Sequence, residues 1–573
     1  MCERKFDMYL KTKNDIKTGE VITPKVIASH TLSGFKAANL CNGFGISKTS
    51  QGLDVHDNHP KGATMWCAQP GDDDELWIQF DFERVYPIGE MDVWNYNRYD
   101  PSTPNISYTN QGLKNIRIFH SIDKLNWIEL KGPGYPYQLA KAGGVNQCAA
   151  TNLNDGNNTP IDFDGVSARY IKICINSCPN DGNWGGINGN ECIFGLSEIQ
   201  FHLGKGIAVD TADEWTNLFK RQSGWVGADA SYSVPCSGID KPGSGAQSNT
   251  IFLFGDTFIG EIDHMTARRS DDTIMLNNTI GILRGNRPDR RNMNFIWGEN
   301  GSSNLNSVFI PEGNDGYYYW PQDGVCIDNN LYVFALKARQ DLTGPEGFQF
   351  AVDAVDLVSI PLGINGPVFE KQKHMQTPLH FSTKESGEIF FGGSIMLNTS
   401  EAGAPDPDGY AYIYGWRNNP VGRELLVARI IPENIENFEK WRFWDGMSWS
   451  DNIADCKAVF NGVSCEFSVT PVYGGMFENK FVLVCQKDGI GQTVAYSAGQ
   501  TPVGPFEKAV PIYYCPEPDS GESIYVYNAK AHPHLSQKGE LLVSYNVNST
   551  SMEAHMNNGY IYRTRWIRLY SIK

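Results

Sequence analysis

The 573-residue chain has no apolar run approaching the roughly 20 residues a helix needs to cross a bilayer. Basic residues are in deficit: 48 Lys and Arg stand against 65 Asp and Glu, a formal charge of −17. That balance excludes nucleic acid and anionic membrane as the main partner, since both are gripped by basic patches. Clear helical heptads are missing. So are the Gly-rich phosphate loop, His-Glu-x-x-His and Gly-x-Ser-x-Gly, which sets aside kinases, zinc proteases and serine hydrolases. The opening "MCERKFDMYLKTKNDIKTGE" lacks the apolar core of a signal peptide, which fits a cytosolic protein or a mature or trimmed form of a secreted one. Thirteen cysteines is an odd number, and it leaves the redox compartment undecided. Cys174, Cys178 and Cys192 lie close in sequence, but they match no common zinc spacing and lack an evident fourth ligand. Buried thiols or an isolated disulfide are expected.

What the chain has in quantity is glycine (58), tyrosine (26) and tryptophan (14). This is the profile of a loop-rich β protein whose aromatic surfaces can stack on sugars. The length calls for two or more domains. Residues 1–24 form an N-terminal extension. Residues 25–203 carry short alternating strands such as "ELWIQFDF", "LKNIRIFHS" and "ARYIKICI", separated by Gly/Asn/Asp/Pro loops, which predicts an antiparallel β-sandwich. A helical joint is expected over 204–224, where "TADEWTNLFKRQ" has apolar residues at three- to four-residue spacing and Thr211 or Asp213 as its cap. Residues 225–573 form the second domain.

The order "ATMWCAQ…LWIQFDF…IGEMDVWNYN…TNQGLKNIRIFHSIDKLNW…ARYIKI…GLSEIQFHL" resembles the discoidin, or factor V/VIII type C, family of galactose-binding-like jelly rolls. The resemblance implies a carbohydrate-binding module whose ligand sits in loops at one end of the sandwich, and a structural calcium near the first loop and last strand. Glu198 in "LSEIQF" matches the family's closing acidic residue. Asn42 in "NLCNGFG" stands where an aspartate is usual, which removes a charge from the calcium site. The strand "VWNYN" either touches sugar or packs. The loops "RYDPSTPNISYTN" and "CPNDGNWGGINGNE" are the better place for contacts, with Trp184 as the stacking aromatic.

Along the second domain a loose unit recurs five times: a polar-led strand, a Gly- or Asn-rich turn and a strongly apolar strand. Five units of roughly 50–80 residues predict a five-bladed β-propeller, so the fold class is all-β, jelly roll plus propeller. In a propeller the leading strand of each blade lines the channel, which would gather Asp229, Asp323, Glu466 and His532 near one mouth and set Asp256 beside Asp229. The series "WVGADASYSV…LFGDTFIG…NNTIGI…YYWPQDGV…YNAKAHPHLS…GELLVSYNVN" resembles bacterial five-bladed propeller domains whose relatives include endo-D-arabinanases. That resemblance implies a secreted or cell-surface glycoside hydrolase acting on an arabinan-type polysaccharide, with no cofactor for catalysis. The alternative is a carbohydrate-binding or adhesion protein without turnover.

Glycoside hydrolysis takes two carboxylates, one protonated to serve the leaving oxygen and one ionised. Two acids in one desolvated pocket push their titrations apart and supply both states. Asp229 in "GAD" and Asp256 in "FGDT" are the expected pair, with Glu466 in "SCEFSVTP" a third catalytic candidate. Trp225, Asn278, Trp320 and Asp323 are expected to shape substrate subsites, as are Asn528 and His532 of "YNAKAHP". Arg268 and Arg269 are placed to meet an acidic sugar. The competing view is structural: "FGDT" as a turn whose aspartate accepts backbone N–H groups, Asp323 as a turn residue before glycine, and His532 as a satisfied interior histidine. "APDPDGY", with Asp406 and Asp408, is read as a solvated turn rather than a calcium loop.

Overall fold

The computed structural model describes residues 17–71, 75–300, 304–313, 315–344, 349–364, 366–383, 387–420, 422–472, 477–521 and 523–572. Most of the extension expected over residues 1–24 lies outside these. The chain divides into two compact units, one running through Val209 and taking in the last residues from Ser571, the other Asp210–Tyr570. Among the described residues the helices are short, and strands dominate both units.

The first unit is built round one long strand. Strands β1 (Lys25–Ala28), β2 (Leu76–Asn95), β3 (Asn115–Ser121), β4 (Ile161–Ile175) and β5 (Phe194–Leu203) are all antiparallel where they pair. β2 pairs with β1 through its first half and with β5 through its second, with β4 alongside both. Its core holds Trp66, Ile78, Phe80, Ile171 and Phe201, the inward members of alternating strands. "VWNYN" packs: Trp94, Asn95 and Asn97 are buried, and Asn95 Nδ2 donates to the carbonyls of Leu113 and Ala140.

The stretch expected as a helical joint opens instead with extended chain, Gly206–Thr211, and only Asp213–Leu218 (α1) is helical. Six residues leave room for little more than one turn. Thr211 ends the extended segment, Asp213 is already the first helical residue, and Ala212 stands at the N-cap without a side-chain bond. Trp215 secures α1 by stacking on Trp566 at 5.3 Å.

Among the described residues, five larger antiparallel sheets follow one another through the rest of the chain, with the short pair Gly298–Asn300 and Asn304–Asn306 between the first and second. The first comprises β6 (Ser223–Pro235), β7 (Asn249–Glu261), β8 (Thr279–Arg284) and β9 (Met293–Ile296). The second comprises β10 (Tyr317–Ile327), β11 (Asn330–Gln340), β12 (Phe350–Gly363) and β13 (Lys373–Gln376). The third holds β14 (His380–Thr383), β15 (Gly387–Asn398), β16 (Tyr410–Asn419), β17 (Gly422–Ile430) and β18 (Arg442–Trp444). The fourth holds β19 (Phe467–Pro471), β20 (Phe481–Gln486), β21 (Thr493–Gly499) and β22 (Val510–Tyr514). The fifth is β23 (Ile524–Ala531), β24 (Glu540–Ser549) and β25 (Arg563–Ile572). Strands β6, β10, β15, β19 and β23 touch in that order. β23 reaches back to β6, where Lys530 Nζ donates to the carbonyl of Ala230.

Four of these five strands break register at corresponding places. Gln322 and Asp323 on β10 fall in a gap of the ladder, as do Gly392 and Gly393 on β15 and Asn528 and Ala529 on β23. On the β6–β7 pair, Asp229 alone stands opposite Gly255 and Asp256. Bulges of this kind bend a strand and re-aim its side chains. Ala230, Ser231 and Asn528 take the left-handed conformation there, with φ of 59°, 65° and 63°.

Candidate functional site

The bulge between β6 and β7 brings Asp229 and Asp256 to one side of their sheet. Gly255 makes this possible: a Cβ there would lie 2.4 Å from Asp229 Oδ1. Any side chain at position 255 would therefore displace the carboxylate. Asp256 Oδ1 accepts from the Trp320 indole Nε1 at 2.9 Å and from Asn277 Nδ2 at 3.4 Å. Asp229 Oδ2 accepts from the Tyr527 hydroxyl at 2.6 Å, and Asn548 Nδ2 donates to that same hydroxyl at 2.9 Å. The Tyr562 hydroxyl is near enough to Asp229 to favour its ionised form.

Both carboxylates are enclosed by protein on most sides yet keep some contact with solvent. Burial raises both above the usual carboxylate range. For Asp256 the neighbouring Asp229 charge adds to burial, and together they push its pKa up to about 7. For Asp229 the Tyr527 and Tyr562 hydroxyls and the Lys530 ammonium work against burial. Trp320, Tyr318 and Tyr525 stand round the pair partly exposed, and Phe350 meets the Trp320 ring edge-on at 4.6 Å. The arrangement offers two acids of different surroundings under an aromatic rim.

Glu466 lies deeper, buried against Lys530 with Oε2 2.6 Å from Nζ. Burial moves its pKa up to about 7 while Lys530 opposes the shift. Asp323 is raised to about 7 by burial too, but its oxygens are engaged: Oδ1 accepts from Gly324 N and Oδ2 from Ile395 N, both at 2.8 Å. It ties β10 to β15 and lines a cavity of about 50 Å³ shared with Ser233, Ser468 and Lys530.

Four residues expected in subsites lie in the interior. Trp225 is buried, stacks on Phe295 at 4.4 Å and donates from Nε1 to Thr279 Oγ1. Asn278 donates to the carbonyls of Phe309 and Tyr319 and accepts from Phe309 N, which leaves it no function but to strap that turn. His532 sits between the hydroxyls of Ser233 and Ser544, at 2.6 and 2.7 Å, and against Trp566. Burial holds its imidazole neutral. Asn528 is buried at the β23 bulge. Arg269 is buried and spends its guanidinium on the carbonyls of His555, Val226 and Gly559, while exposed Arg268 pairs with Asp271. Neither reaches the aspartates' bonding network.

Tyr527, Tyr562, Asn277 and Lys530 were not singled out from sequence. Tyr527 and Lys530 both fall in "YNAKAHP", and their shared aim follows only from the bulge between them.

In the first unit the two long loops expected to bind sugar do meet, through Trp184 N to the Asn110 carbonyl at 3.0 Å and Gln111 Nε2 to Glu191 Oε2 at 2.9 Å. Trp184 is partly buried, with the Lys114 ammonium 5.0 Å from its ring centre. Glu198 is buried, and burial raises it to about 8. Its Oε1 accepts from Gly43 N at 3.0 Å while Oε2 has no protein donor. Asn42 is exposed and bonds Phe44 N. A buried carboxylate oxygen without a partner suits a cation; Asn42, turned to its own backbone, does not contribute to that fit. Among the described residues no group of three or more His, Cys, Asp or Glu could hold a metal. The described cysteines are free thiols, including Cys174, Cys178 and Cys192. Asp408 Oδ2 accepts from the Tyr412 hydroxyl in the 406–408 turn.

A family model described as a domain of unknown function (DUF5005) matches residues 212–571, and an F5/8 type C domain occupies residues 46–189. Comparison with curated proteins gives no match. Among solved structures, one described as a "putative hydrolase" from Bacteroides ovatus is 17% identical, with 63% of this chain and 90% of that one covered and a TM-score of 0.48. A CBM32 module from a family 31 glycoside hydrolase of Clostridium perfringens is 14% identical over 32% of this chain and 90% of its own, TM-score 0.20. A fucose binding module from Streptococcus pneumoniae is also 14% identical, over 33% and 99%, TM-score 0.20.

Proposed function

The chain belongs to the family described as a domain of unknown function (DUF5005), and we propose that this domain is a glycoside hydrolase whose acids are Asp229 and Asp256. The observation that carries the reading is the unequal bonding of two neighbouring half-buried carboxylates. Asp229 accepts from the Tyr527 phenol, with the Tyr562 hydroxyl and the Lys530 ammonium near it, which favours its ionised form. Asp256 has an indole and a long amide contact for support, with a neighbouring negative charge against it. Asp256 is then the general acid at the leaving oxygen. Asp229 is the base or nucleophile on the other side of the scissile bond. Trp320, Tyr318 and Tyr525 supply faces for a sugar ring. Asp323 serves the fold, and Glu466 answers Lys530.

The five successive sheets with touching leading strands support a five-bladed propeller with the aspartates at one mouth of its channel. The substrate class to try first is an arabinan-type furanoside cut internally, on the strength of the motif likeness. The F5/8 type C domain would hold the polymer, raising its effective concentration at the acids, with Trp184 and its two loops as the contact region. Glu198 would be the one anionic ligand of a structural calcium there. An extracellular or cell-surface setting follows from a polymeric substrate.

Incubating the protein with glycan polymers and measuring new reducing ends tests the activity. Turnover that vanishes in Asp256→Asn while glycan binding persists supports a hydrolase. The second reading, a lectin-like protein, rests on the aromatic rim alone and predicts binding without turnover in every variant.

A further inference from the structure

Among the described residues, Lys530 and Glu466 form a charged couple buried beside the proposed catalytic acids that the chemistry leaves without a task. Lys530 lies on β23, three residues past Tyr527, across the bulge at Asn528 and Ala529. Its Nζ makes three contacts: the Glu466 carboxylate at 2.6 Å, the carbonyl of Ala230 next to Asp229, and the face of Tyr232 at 4.3 Å. Both partners are almost wholly buried. A buried ion pair seldom stabilises more than apolar side chains of the same volume, so its presence at this spot asks for another reason.

Resting on the hydrolase reading, we propose that Lys530 and Glu466 are positioning residues for Asp229, the ammonium keeping that carboxylate ionised and Glu466 fixing and moderating the ammonium. Lys530 is bonded to the backbone beside Asp229 and to Glu466, while the Glu466 and Asp229 charges oppose one another. The other titratable groups facing Asp229 are Asp256 on β7, Tyr525 and Tyr527 on β23 and Tyr562 before β25. Asp323, Cys465, Tyr232 and His532 surround the pair itself. The phenols are neutral donors and Asp256 is an anion or an acid, so Lys530 is the only cation in this set. Removing its charge raises the Asp229 titration whether the orphaned Glu466 stays ionised or takes a proton. Removing the Glu466 charge leaves the ammonium unopposed and lowers it. The two substitutions therefore act in opposite directions, which loss of packing cannot imitate.

The test uses the full chain with Lys530→Met, Glu466→Gln, the double substitution and Lys530→Arg. Two readouts are taken: the pH dependence of kcat/KM on whichever polymer the wild type cleaves, and carboxyl-13C titration of Asp229, assigned by its loss in Asp229→Asn. The expected result is an Asp229 midpoint and acidic limb moved up by about one unit in Lys530→Met, up by less in the double variant, down in Glu466→Gln and restored in Lys530→Arg. If Lys530→Met does not fold, the double variant, with no unpaired buried charge, and Glu466→Gln decide the matter. Midpoints that stay put, or that move the same way in both, overturn the proposal. If no polymer is cleaved, the hydrolase reading falls on that ground alone, and the carboxyl titration still decides the electrostatic claim.

Discussion

At the scale of single residues, the account turns on what each carboxylate accepts. Asp256→Asn removes the proposed acid and is expected to lower kcat by about 10²–10⁴-fold on substrates with poor leaving groups. A substrate with an activated leaving group should be spared most of that loss, because its departing oxygen needs no proton. Asp229→Asn should lose turnover on both kinds of substrate. The pH dependence follows from the shift at Asp256. A general acid of pKa about 7 works while protonated, so kcat/KM should fall as pH rises above about 7. The Trp320 indole stabilises the ionised form of Asp256. Trp320→Phe should therefore move that alkaline limb to higher pH, and a limb that moves down or stays would place the acid elsewhere. The aspartates were visible in the sequence because a charge stranded in an apolar strand needs a use. Their phenolic partners were not, because Tyr527 and Tyr562 come from the far end of the chain and meet Asp229 only after the fifth sheet returns to the first. Trp225, Asn278 and His532 looked equally available in sequence, yet each had its polar atoms fully engaged by neighbours tens or hundreds of residues away.

At the scale of elements, the bulges place the proposed acids. An unbroken ladder would alternate side chains across β6 and β7 and send Asp229 and Asp256 to positions set by register alone. The two-for-one pairing at Gly255 and Asp256 sets them together. Gly255→Ala is accordingly expected to lower kcat by about 10²-fold through displacement of the Asp229 carboxylate. The melting temperature should change little, since the atom in the way is the end of a side chain. Circular dichroism and melting alongside kinetics would check this; unchanged kcat would mean that the placement of Asp229 is not critical. Alternating apolar residues made the strands and the β-rich character of both units legible. The bulges left a fainter trace, as polar or glycine pairs inside apolar strands: "QD" in "YYYWPQDGV", "GG" in "IFFGGSIM", "NA" in "YVYNAKA". The strand at Gly206–Thr211 was missed because its short apolar run carries no period long enough to separate it from the helix that follows.

At the scale of the whole molecule, the chain joins an F5/8 type C domain to a second, larger β unit that holds the half-buried aspartates. Glu198 gives the first unit a pH response of its own and, if the proposed calcium site holds, a cation response. Its folded pKa of about 8 lies above the 4.5 of an ordinary glutamate, so the folded form holds the proton more tightly than the unfolded chain. Its contribution is complete below about pH 4.5 and is lost as pH rises toward 8 when no cation is present. Calcium should restore it. The expected outcome is a melting transition at pH 8 that rises with calcium in the wild type and does not respond in Glu198→Gln, measured by calorimetry. An equal response in both would remove Glu198 from any cation site. The central claim concerns the larger unit, and one measurement meets it directly: new reducing ends and product sizes released from arabinans, fructans, galactans and bacterial cell-wall polysaccharides by wild type and by the Asp229→Asn/Asp256→Asn double variant. The account predicts turnover of one polymer by the wild type alone, with the double variant folded and still binding that polymer. Turnover by both proteins, or binding with no turnover by either, would contradict it.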